Sequence, residues 1–194
     1  MRHRPGRPYT HSRAGALVML ALLAAPVGVA AQQPLSAVEI EANRVSRENA
    51  LADSLDERAR AMYSVSRWHL DAARLHRRAG MLRGNDPRAV SSFRSAAWMY
   101  SAAGEHSVGR QMMETAAQRA AAVGDVEGAA NAYIDAAYFA IASDRPDRVP
   151  AILGRMHAVL GSPLLPSDRR TAILRRVGDS PAIAALDTTR RTTP

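Results

Sequence analysis

Histidine is the residue type in this chain best suited to proton transfer or metal binding, and four of the six histidines follow residue 31. His69 and His76 are seven residues apart, so a helix would place them on one face, separated by about 10 Å of helix rise. A zinc site needs converging ligands, such as two histidines four residues apart on a helix. His106 and His157 have no histidine at that distance. The spacing therefore predicts no metal site.

The motifs of common catalytic sites are missing from this sequence. It contains no cysteine, which excludes disulfides, thiolate catalysis and cysteine-ligated zinc. It also contains neither Gly-x-Ser-x-Gly nor a glycine-rich phosphate loop. Acids cluster at the predicted helix starts, where they favour the positive end of the helix dipole and need no catalytic explanation. We therefore expect no enzyme and no cofactor, with an unrecognised hydrolase as the least favoured alternative.

Arginine supplies a second set of candidate binding residues. The chain has no lysine, and four of its arginines crowd one predicted C-terminal helix. They could capture an anion such as an acidic peptide, a surface polymer or a lipid head group. The alternative is a solvated helix face. Nucleic acid is not expected, because the other arginines are scattered among acids rather than gathered in a basic stripe. The four are Arg169, Arg170, Arg175 and Arg176.

An internal repeat of twenty residues must position these side chains. Gly84, Gly104, Gly124 and Asp144 are twenty residues apart. Five, nine, twelve, thirteen and sixteen residues after each of them stands a small or apolar residue, with His157 the sole exception. The pattern predicts one amphipathic helix after each turn, whose apolar face is buried only when neighbouring helices stack. The helices after these four turns are predicted at residues 87–102, 107–122, 127–142 and 147–160. The same twenty-residue period places a further break near Ser64, so another helix is predicted at residues 66–82.

Two aromatic residues share one position of this register. Trp98 and Tyr138 both stand fourteen residues after a turn, where the other two helices carry Gln118 and Ala158. They form either an exposed edge that could anchor a partner or a contact between adjacent repeats. His157 stands thirteen residues after its turn, where the other helices carry alanine. It is either a binding residue or a partly buried histidine bonded to a backbone carbonyl.

The first 31 residues have the layout of a secretory signal peptide. Four arginines and no acid precede an apolar stretch, and small residues stand before Gln32. We expect cleavage after Ala31, with an uncleaved membrane anchor as the alternative, because residues 14–31 approach spanning length. Cleavage would lower the net charge from +8 to +4, since 22 arginines and 18 acids remain. The protein is therefore predicted to be exported, to a bacterial periplasm or to the medium.

A helical segment precedes the repeats. Residues 32–35 form a polar lead, and residues 36–63 follow with helix-like apolar spacing. Ser36 and Glu39 fit a capping box, in which each side chain satisfies a free backbone N–H group of the other residue. A second such box at Ser54 leaves open whether this segment is one helix or two. Ser66 is a candidate cap for the helix that follows.

The repeat region, residues 64–160, is followed by a different pattern. Glycine and proline interrupt the chain after residue 160, so residues 161–186 are predicted to form a C-terminal helical cap. Its main helix is expected at about residues 168–177, with Ser167 as the capping residue. Residues 187–194 are polar and are predicted to be disordered.

The residues after two of the glycine turns are similar to half of a known repeat. Gly124-Asp125 is followed by Ala129, Tyr133 and Ala136, and the residues after Gly84 fit the same pattern. This pattern resembles the second half of a tetratricopeptide repeat. The first-helix half departs from that family, and the forty-residue spacing exceeds its thirty-four. The resemblance covers residues 66–160. It implies an all-α solenoid, a right-handed stack of antiparallel helix hairpins, with partners bound on a concave face lined by first helices 66–82, 107–122 and 147–160.

These features together predict a non-catalytic, exported scaffold or adaptor that binds a peptide or an envelope protein in a helical-repeat groove. The second hypothesis is electrostatic binding of an anionic surface polymer or lipid head groups by the C-terminal arginines. No transmembrane segment is expected after cleavage, and the oligomeric state stays open. The candidate partner-binding residues are His157, Trp98, Tyr138, Arg169, Arg170, Arg175 and Arg176.

Overall fold

Stacked helices make up residues 36–187, the part of the chain that the computed structural model describes. The predicted signal peptide, the polar lead and residues 188–194 lie outside this range. Within it the chain forms no strand. Short 3-10 helices, Ser66–Trp68 and Pro146–Arg148, precede the second and sixth α-helices. The α-helices are α1 Ala37–Ala61, α2 His69–Arg83, α3 Arg88–Ala102, α4 His106–Ala122, α5 Val126–Ala142, α6 Val149–Leu160, α7 Ser167–Gly178 and α8 Pro181–Ala184.

The four repeat turns have left-handed backbone conformations. The φ angles are 53° at Gly84, 85° at Gly104, 81° at Gly124 and 56° at Asp144. Glycine adopts this region without steric cost, whereas a residue with a side chain pays roughly 1–2 kcal/mol. The twenty-residue repeat of the sequence is therefore also a repeat of the backbone, with Asp144 as its one strained member among residues 36–187.

The predicted apolar register is confirmed by burial. Each of α1 to α5 packs against the next helix in the chain, up to α6. Nineteen of the twenty register positions are buried, and His157 is the exception. The positions twelve residues after the turns hold Ala96, Ala116, Ala136 and Met156, all at 0% exposure. Small side chains at these positions let neighbouring helix backbones approach closely. The all-α stack of consecutive helices thus follows from the register.

The N-terminal segment is one continuous helix. The capping box is present: the Ser36 N–H donates to Glu39 Oε2 at 2.7 Å, and the Glu39 N–H donates to Ser36 Oγ at 3.3 Å. Ser54 lies inside α1, so the break considered there does not occur. Two other predicted caps are wrong. Ser66 is the first residue of a 3-10 helix, and Ser167 is the first residue of α7, behind an N-cap at Pro166.

The C-terminal segment folds back on the stack. α7 packs against α5, and α8 packs against α7. Ile173, Val177 and Ile183 are buried at this contact. Asp187 was predicted to begin the disordered tail, but it is 2% exposed. Across residues 36–187, none of the helices combines the length and the apolar character needed to cross a membrane.

Candidate functional site

A groove of about 900 Å³ lies over α5, between α3 and α7. α5 presents one face to it, because its lining residues recur at three- and four-residue intervals. α3 forms one wall with its C-terminal half, and α7 contributes an arginine. We call this cavity the α5 groove. It is lined by Arg94, Trp98, Ser101, Asp125, Glu127, Gly128, Asn131, Asp135, Tyr138, Phe139, Ala142 and Arg176.

Two partly exposed aromatic rings line the α5 groove. Trp98 is 49% exposed and Tyr138 is 39% exposed. The Trp98 ring meets the buried Phe139 ring nearly edge to face, with centroids 5.0 Å apart and an interplanar angle of 81°. This contact holds the indole in place while leaving about half of it open. Trp98 therefore shows both features considered for its position, a contact with the next repeat and an exposed edge.

A buried carboxylate joins two arginines in the α5 groove. Asp135 is 5% exposed. The Arg176 guanidinium donates to Asp135 Oδ1 at 2.6 Å and to Asn131 Oδ1 at 2.8 Å. Arg94 approaches the other oxygen, with Nη2 3.9 Å from Asp135 Oδ2. One carboxylate therefore faces two guanidinium groups, and this part of the groove carries a surplus of one positive charge.

The part of the groove at the N-terminus of α5 is acidic. Asp125 Oδ1 accepts a hydrogen bond from the Gly128 N–H at 2.8 Å and so caps the helix. Glu127 lies in the first helical turn, 3.8 Å from Arg169. Both acids favour the positive end of the helix dipole. The α5 groove is therefore dipolar, with acids at the start of α5 and two arginines two to three turns further along.

The structure separates the seven predicted partner-binding residues. Trp98, Tyr138 and Arg176 line the α5 groove, and Arg169 reaches its acidic end through Glu127. Arg170 instead donates to the backbone carbonyls of Ser162 and Leu165, at 3.3 and 3.5 Å. The C-terminal arginines therefore do not form one continuous patch.

The remaining two predicted residues lie outside the groove. Arg175 is exposed on α7, beside a small cavity that it shares with Ser167 and Thr171. His157 lies on α6, and its Nε2 is 3.2 Å from Oδ2 of the buried Asp187. His157 is partly buried, as one of the two interpretations expected, but its partner is a carboxylate rather than a backbone carbonyl.

The groove also lies on other helices than the resemblance implied. Tetratricopeptide-like binding was expected on the first helices, which correspond to α2, α4 and α6. The α5 groove is lined by the second helices α3 and α5 together with α7. The reason is visible in the register, since the position fourteen residues after the turn is exposed on both α3 and α5 and carries an aromatic ring on each.

A second polar assembly was missed by sequence reasoning. Asp56 on α1, His76 and Arg83 on α2, and Ser92 on α3 are all buried. Asp56 accepts hydrogen bonds from His76 Nδ1, at 2.6 Å, from Ser92 Oγ, at 2.8 Å, and from Arg83. The Arg83 guanidinium also bonds Asp53 Oδ1 at 2.5 Å. We call this group the Asp56 cluster.

The Asp56 cluster extends to the turn after α1. The Tyr63 hydroxyl lies 2.5 Å from His76 Nε2, so both ring nitrogens of the histidine have a partner. Burial alone would raise the pKa of Asp56, but hydrogen bonds from His76, Arg83 and Ser92 outweigh it and lower the pKa to about 2. The carboxylate is therefore ionised at neutral pH, and its role is to fasten α1 to α2 and α3.

The repeat register contained a signal for this cluster. Asp56 and His76 are twenty residues apart, at the position that Ala96 and Ala116 occupy in the following helices. An ionisable residue at a buried position needs a partner. Extending the register back into α1 would have paired Asp56 with His76. Across residues 36–187, no group of three or more histidines and acids could hold a metal ion.

Comparison with known proteins identifies no relative of this chain. No protein-family model matches the chain. No curated protein and no solved structure matches it either. The arguments about function therefore depend on the geometry of the helical stack and its groove.

Proposed function

We propose that this chain is a non-catalytic, exported scaffold of the tetratricopeptide-like kind, which binds an extended peptide segment of an envelope protein in the α5 groove. The observation that carries the proposal is the convergence of Trp98, Tyr138 and Arg176 on one cavity. These residues come from three different helices and are up to 78 positions apart in the sequence.

The chemistry of the groove suits a peptide better than a compact small molecule. Trp98 and Tyr138 offer apolar surface to side chains, and such rings anchor many protein contacts. The acidic end and the two arginines of the groove can meet a basic and an acidic group on the same segment. Asn131 and Ser101 add uncharged polar groups for backbone contacts. The cavity extends along α5 from Asp125 to Ala142, a length that suits an extended segment.

A binding experiment tests the role of the aromatic wall. Purified protein is screened on an array of random twelve-residue peptides, and the strongest binders are titrated by fluorescence anisotropy. Trp98→Ala and Tyr138→Ala should each raise Kd about tenfold or more, because anchoring aromatic side chains commonly contribute that much. Two variants serve as matched controls. Trp68→Ala removes another partly exposed indole that lies outside the groove, and Gln118→Ala changes the equivalent register position on α4. Equal loss in all four variants would contradict the proposal.

The second candidate function is electrostatic binding of an anionic polymer or lipid head groups. The exposure of Arg169 and Arg175 on α7 favours it. Long-chain polyphosphate and phosphatidylglycerol vesicles are the probes, each titrated at rising salt, because screening weakens exposed charge attraction. Loss of binding in Arg169→Ala/Arg175→Ala, with Trp98→Ala unaffected, would replace the peptide proposal with this one.

A further inference from the structure

Arg94 is the arginine of the α5 groove whose hydrogen-bonding capacity is least used. Its Nε atom is buried and has no hydrogen-bond partner among residues 36–187. Its Nη2 atom lies 3.9 Å from Asp135 Oδ2, which is beyond the length of a hydrogen bond. The side chain lines the groove and is 43% exposed, so a ligand can reach it. Because a guanidinium has five N–H donors and no acceptor, Arg94 has donors left for an acceptor such as a carboxylate.

The groove also carries a positive charge that its own acid does not balance. The single carboxylate of Asp135 accepts a hydrogen bond from Arg176 at 2.6 Å and lies farther from Arg94. A second bond, to Asn131 Oδ1 at 2.8 Å, holds the Arg176 guanidinium against α5. Two guanidinium groups and one carboxylate leave a net charge of +1 here, and Arg94 is the less tightly paired of the two arginines.

The other acids of the groove are too far away to cancel this charge. Asp135 lies eight residues after Glu127 and ten after Asp125, which is about 12 and 15 Å along the helix axis. Salt at physiological concentration screens exposed charges beyond about 8 Å. Glu127 has its own neighbour in Arg169, 3.8 Å away, and Asp125 caps α5. An acidic group on a bound segment is therefore attracted to Arg94 and away from the start of α5.

Arg94 and the exposed indole of the groove are arranged at the spacing of an extended chain. Arg94 and Trp98 are four residues apart on α3, so they share one face and are separated by about 6 Å of helix rise. Side chains on one side of an extended peptide recur every second residue, at about 6.6 Å. An acidic side chain at Arg94 therefore brings the side chain two residues away against the Trp98 ring.

The position of Arg94 in the groove favours a side chain over a chain end. On α5 the groove extends from Asp125 to Ala142, and Asp135, the neighbour of Arg94, lies between them. A segment that ended with its terminal carboxylate at Arg94 would contact only one part of this length. A segment with an internal aspartate or glutamate at Arg94 contacts the groove on both sides of it.

We propose that Arg94 binds an internal aspartate or glutamate side chain of the bound segment, with an apolar side chain two residues away that packs on Trp98. This inference rests on the function proposed for the α5 groove and adds to it the chemical class of the segment and the residue that selects it.

A double-mutant cycle tests the inference. The probes are the five strongest binders from the array of random twelve-residue peptides, resynthesised with each aspartate changed to asparagine and each glutamate to glutamine, one at a time. In each peptide one such change, two residues from an apolar side chain, should raise Kd for the full chain about tenfold, because a charge-assisted hydrogen bond is lost. Arg94→Gln should raise Kd of the acidic peptide by the same factor and leave Kd of its amide form unchanged.

Arg155→Gln is the matched control for the loss of a positive charge. Arg155 is 44% exposed, like Arg94, but lies on α6 and outside the groove. This variant should keep the full difference between acidic and amide peptides. Circular dichroism verifies that both variants keep the helix content of the unchanged protein.

Three results would overturn the inference while leaving the proposed function in place, provided that Trp98→Ala still weakens binding. The first is that no acid-to-amide change affects Kd in any of the five peptides. The second is that the acid-to-amide difference persists in Arg94→Gln. The third is that amidation of the peptide C-terminus, rather than a side-chain change, weakens binding, because a chain end would then be the ligand. If Trp98→Ala and Tyr138→Ala bind every peptide as the unchanged protein does, the proposed function fails and this inference fails with it.

Discussion

The helices α3–α6 and the helices α1–α2 fill the same register position in opposite ways. Ala96, Ala116 and Ala136 stand at this position in three helices of the repeat core, each at 0% exposure. Asp56 and His76 stand there in α1 and α2, at 5% and 2% exposure. The buried position is shared, but at this position α3, α4 and α5 are joined by apolar contact, whereas α1 and α2 are joined by hydrogen bonds among charged groups.

This difference determines how each region responds to change. Apolar packing accepts other small hydrophobic residues with moderate loss of stability. A buried charged group is tolerated only while its hydrogen-bond partners remain. Removal of one partner leaves the others buried without a hydrogen bond, which lowers the free energy of unfolding. The α1–α2 contact is therefore more specific than the repeat core and more easily broken. Four predictions test or refine this contrast, beginning with the largest expected effect.

Removal of the Asp56 carboxylate should have the largest effect. Asp56→Ala leaves buried His76 and Arg83 without their shared acceptor, and the free energy of unfolding should fall by about 3–5 kcal/mol. Urea denaturation followed by circular dichroism measures this loss. The control is Asp53→Ala, since Asp53 is half exposed and Arg83 keeps Asp56; its cost should stay below about 1 kcal/mol. Similar losses in both variants would show that burial does not determine how much each carboxylate contributes to the free energy of unfolding.

Acid should weaken the same contact. The pKa of Asp56 is about 2 in the folded chain and about 3.9 in an unfolded one. Because the folded pKa is the lower one, the stabilisation is complete above about pH 4 and is lost as the pH falls towards 2, by about 2.5 kcal/mol. Denaturation at several pH values should show this slope in the unchanged protein and a much smaller slope in Asp56→Asn. If the free energy of unfolding of both proteins changed with pH in the same way, Asp56 would not be the group responsible.

Two glycine substitutions test the closeness of packing in the repeat core. A Cβ at Gly109 would lie 2.9 Å from the backbone oxygen of Ala97, so Gly109→Ala should lower the free energy of unfolding by about 2 kcal/mol. A Cβ at Gly154 would have no atom within 4 Å. Gly154→Ala should therefore raise stability by about 0.5–1 kcal/mol through its better helix propensity. Thermal unfolding distinguishes the two. If both variants gained stability, α3 and α4 would not be in close contact.

The smallest expected effect concerns the last repeat turn. Asp144 adopts a φ of 56° where the other three turns have glycine. Asp144→Gly should relieve the strain of the side chain, offset in part by the greater freedom of the unfolded chain, for a net gain of about 0.5–1 kcal/mol. The reciprocal variant Gly124→Ala should lose about 1 kcal/mol. Midpoints of urea unfolding measure both. A loss of stability in Asp144→Gly would mean that the aspartate side chain stabilises the turn.

Much of the stack could be predicted from the sequence because the repeat is local. Gly104 and Gly124 mark turns, and small residues at fixed distances mark the buried face, so helix positions follow without knowledge of distant contacts. The α5 groove required more information. Trp98 and Tyr138 were singled out by their shared position, but the approach of Arg176 depends on how α7 folds back on α5. No local pattern encodes that path.

The Asp56 cluster was also missed because it depends on contacts between residues that are distant in the sequence. His76 is bonded by Asp56 of α1 and by the Tyr63 hydroxyl in the turn after α1. Asp56 lies twenty residues earlier in a helix that lacks the glycine turn. A repeat defined by its turns therefore ended one helix short of the residue that completes the cluster. The buried position recurs in α1, whereas the glycine turn does not. The spacing of buried positions is therefore a better guide to this repeat than the turns are.

The two ends of the stack are finished differently, and this gives the array a direction. At one end α7 packs against α5, and α8 packs against α7. At the other end the first half of α1 contains no buried residue, and Ala52 is the first one in that helix. Local unfolding costs least where few buried contacts are lost. The N-terminal half of α1 can therefore open without exposing the core, and this opening proceeds inward and stops where burial begins.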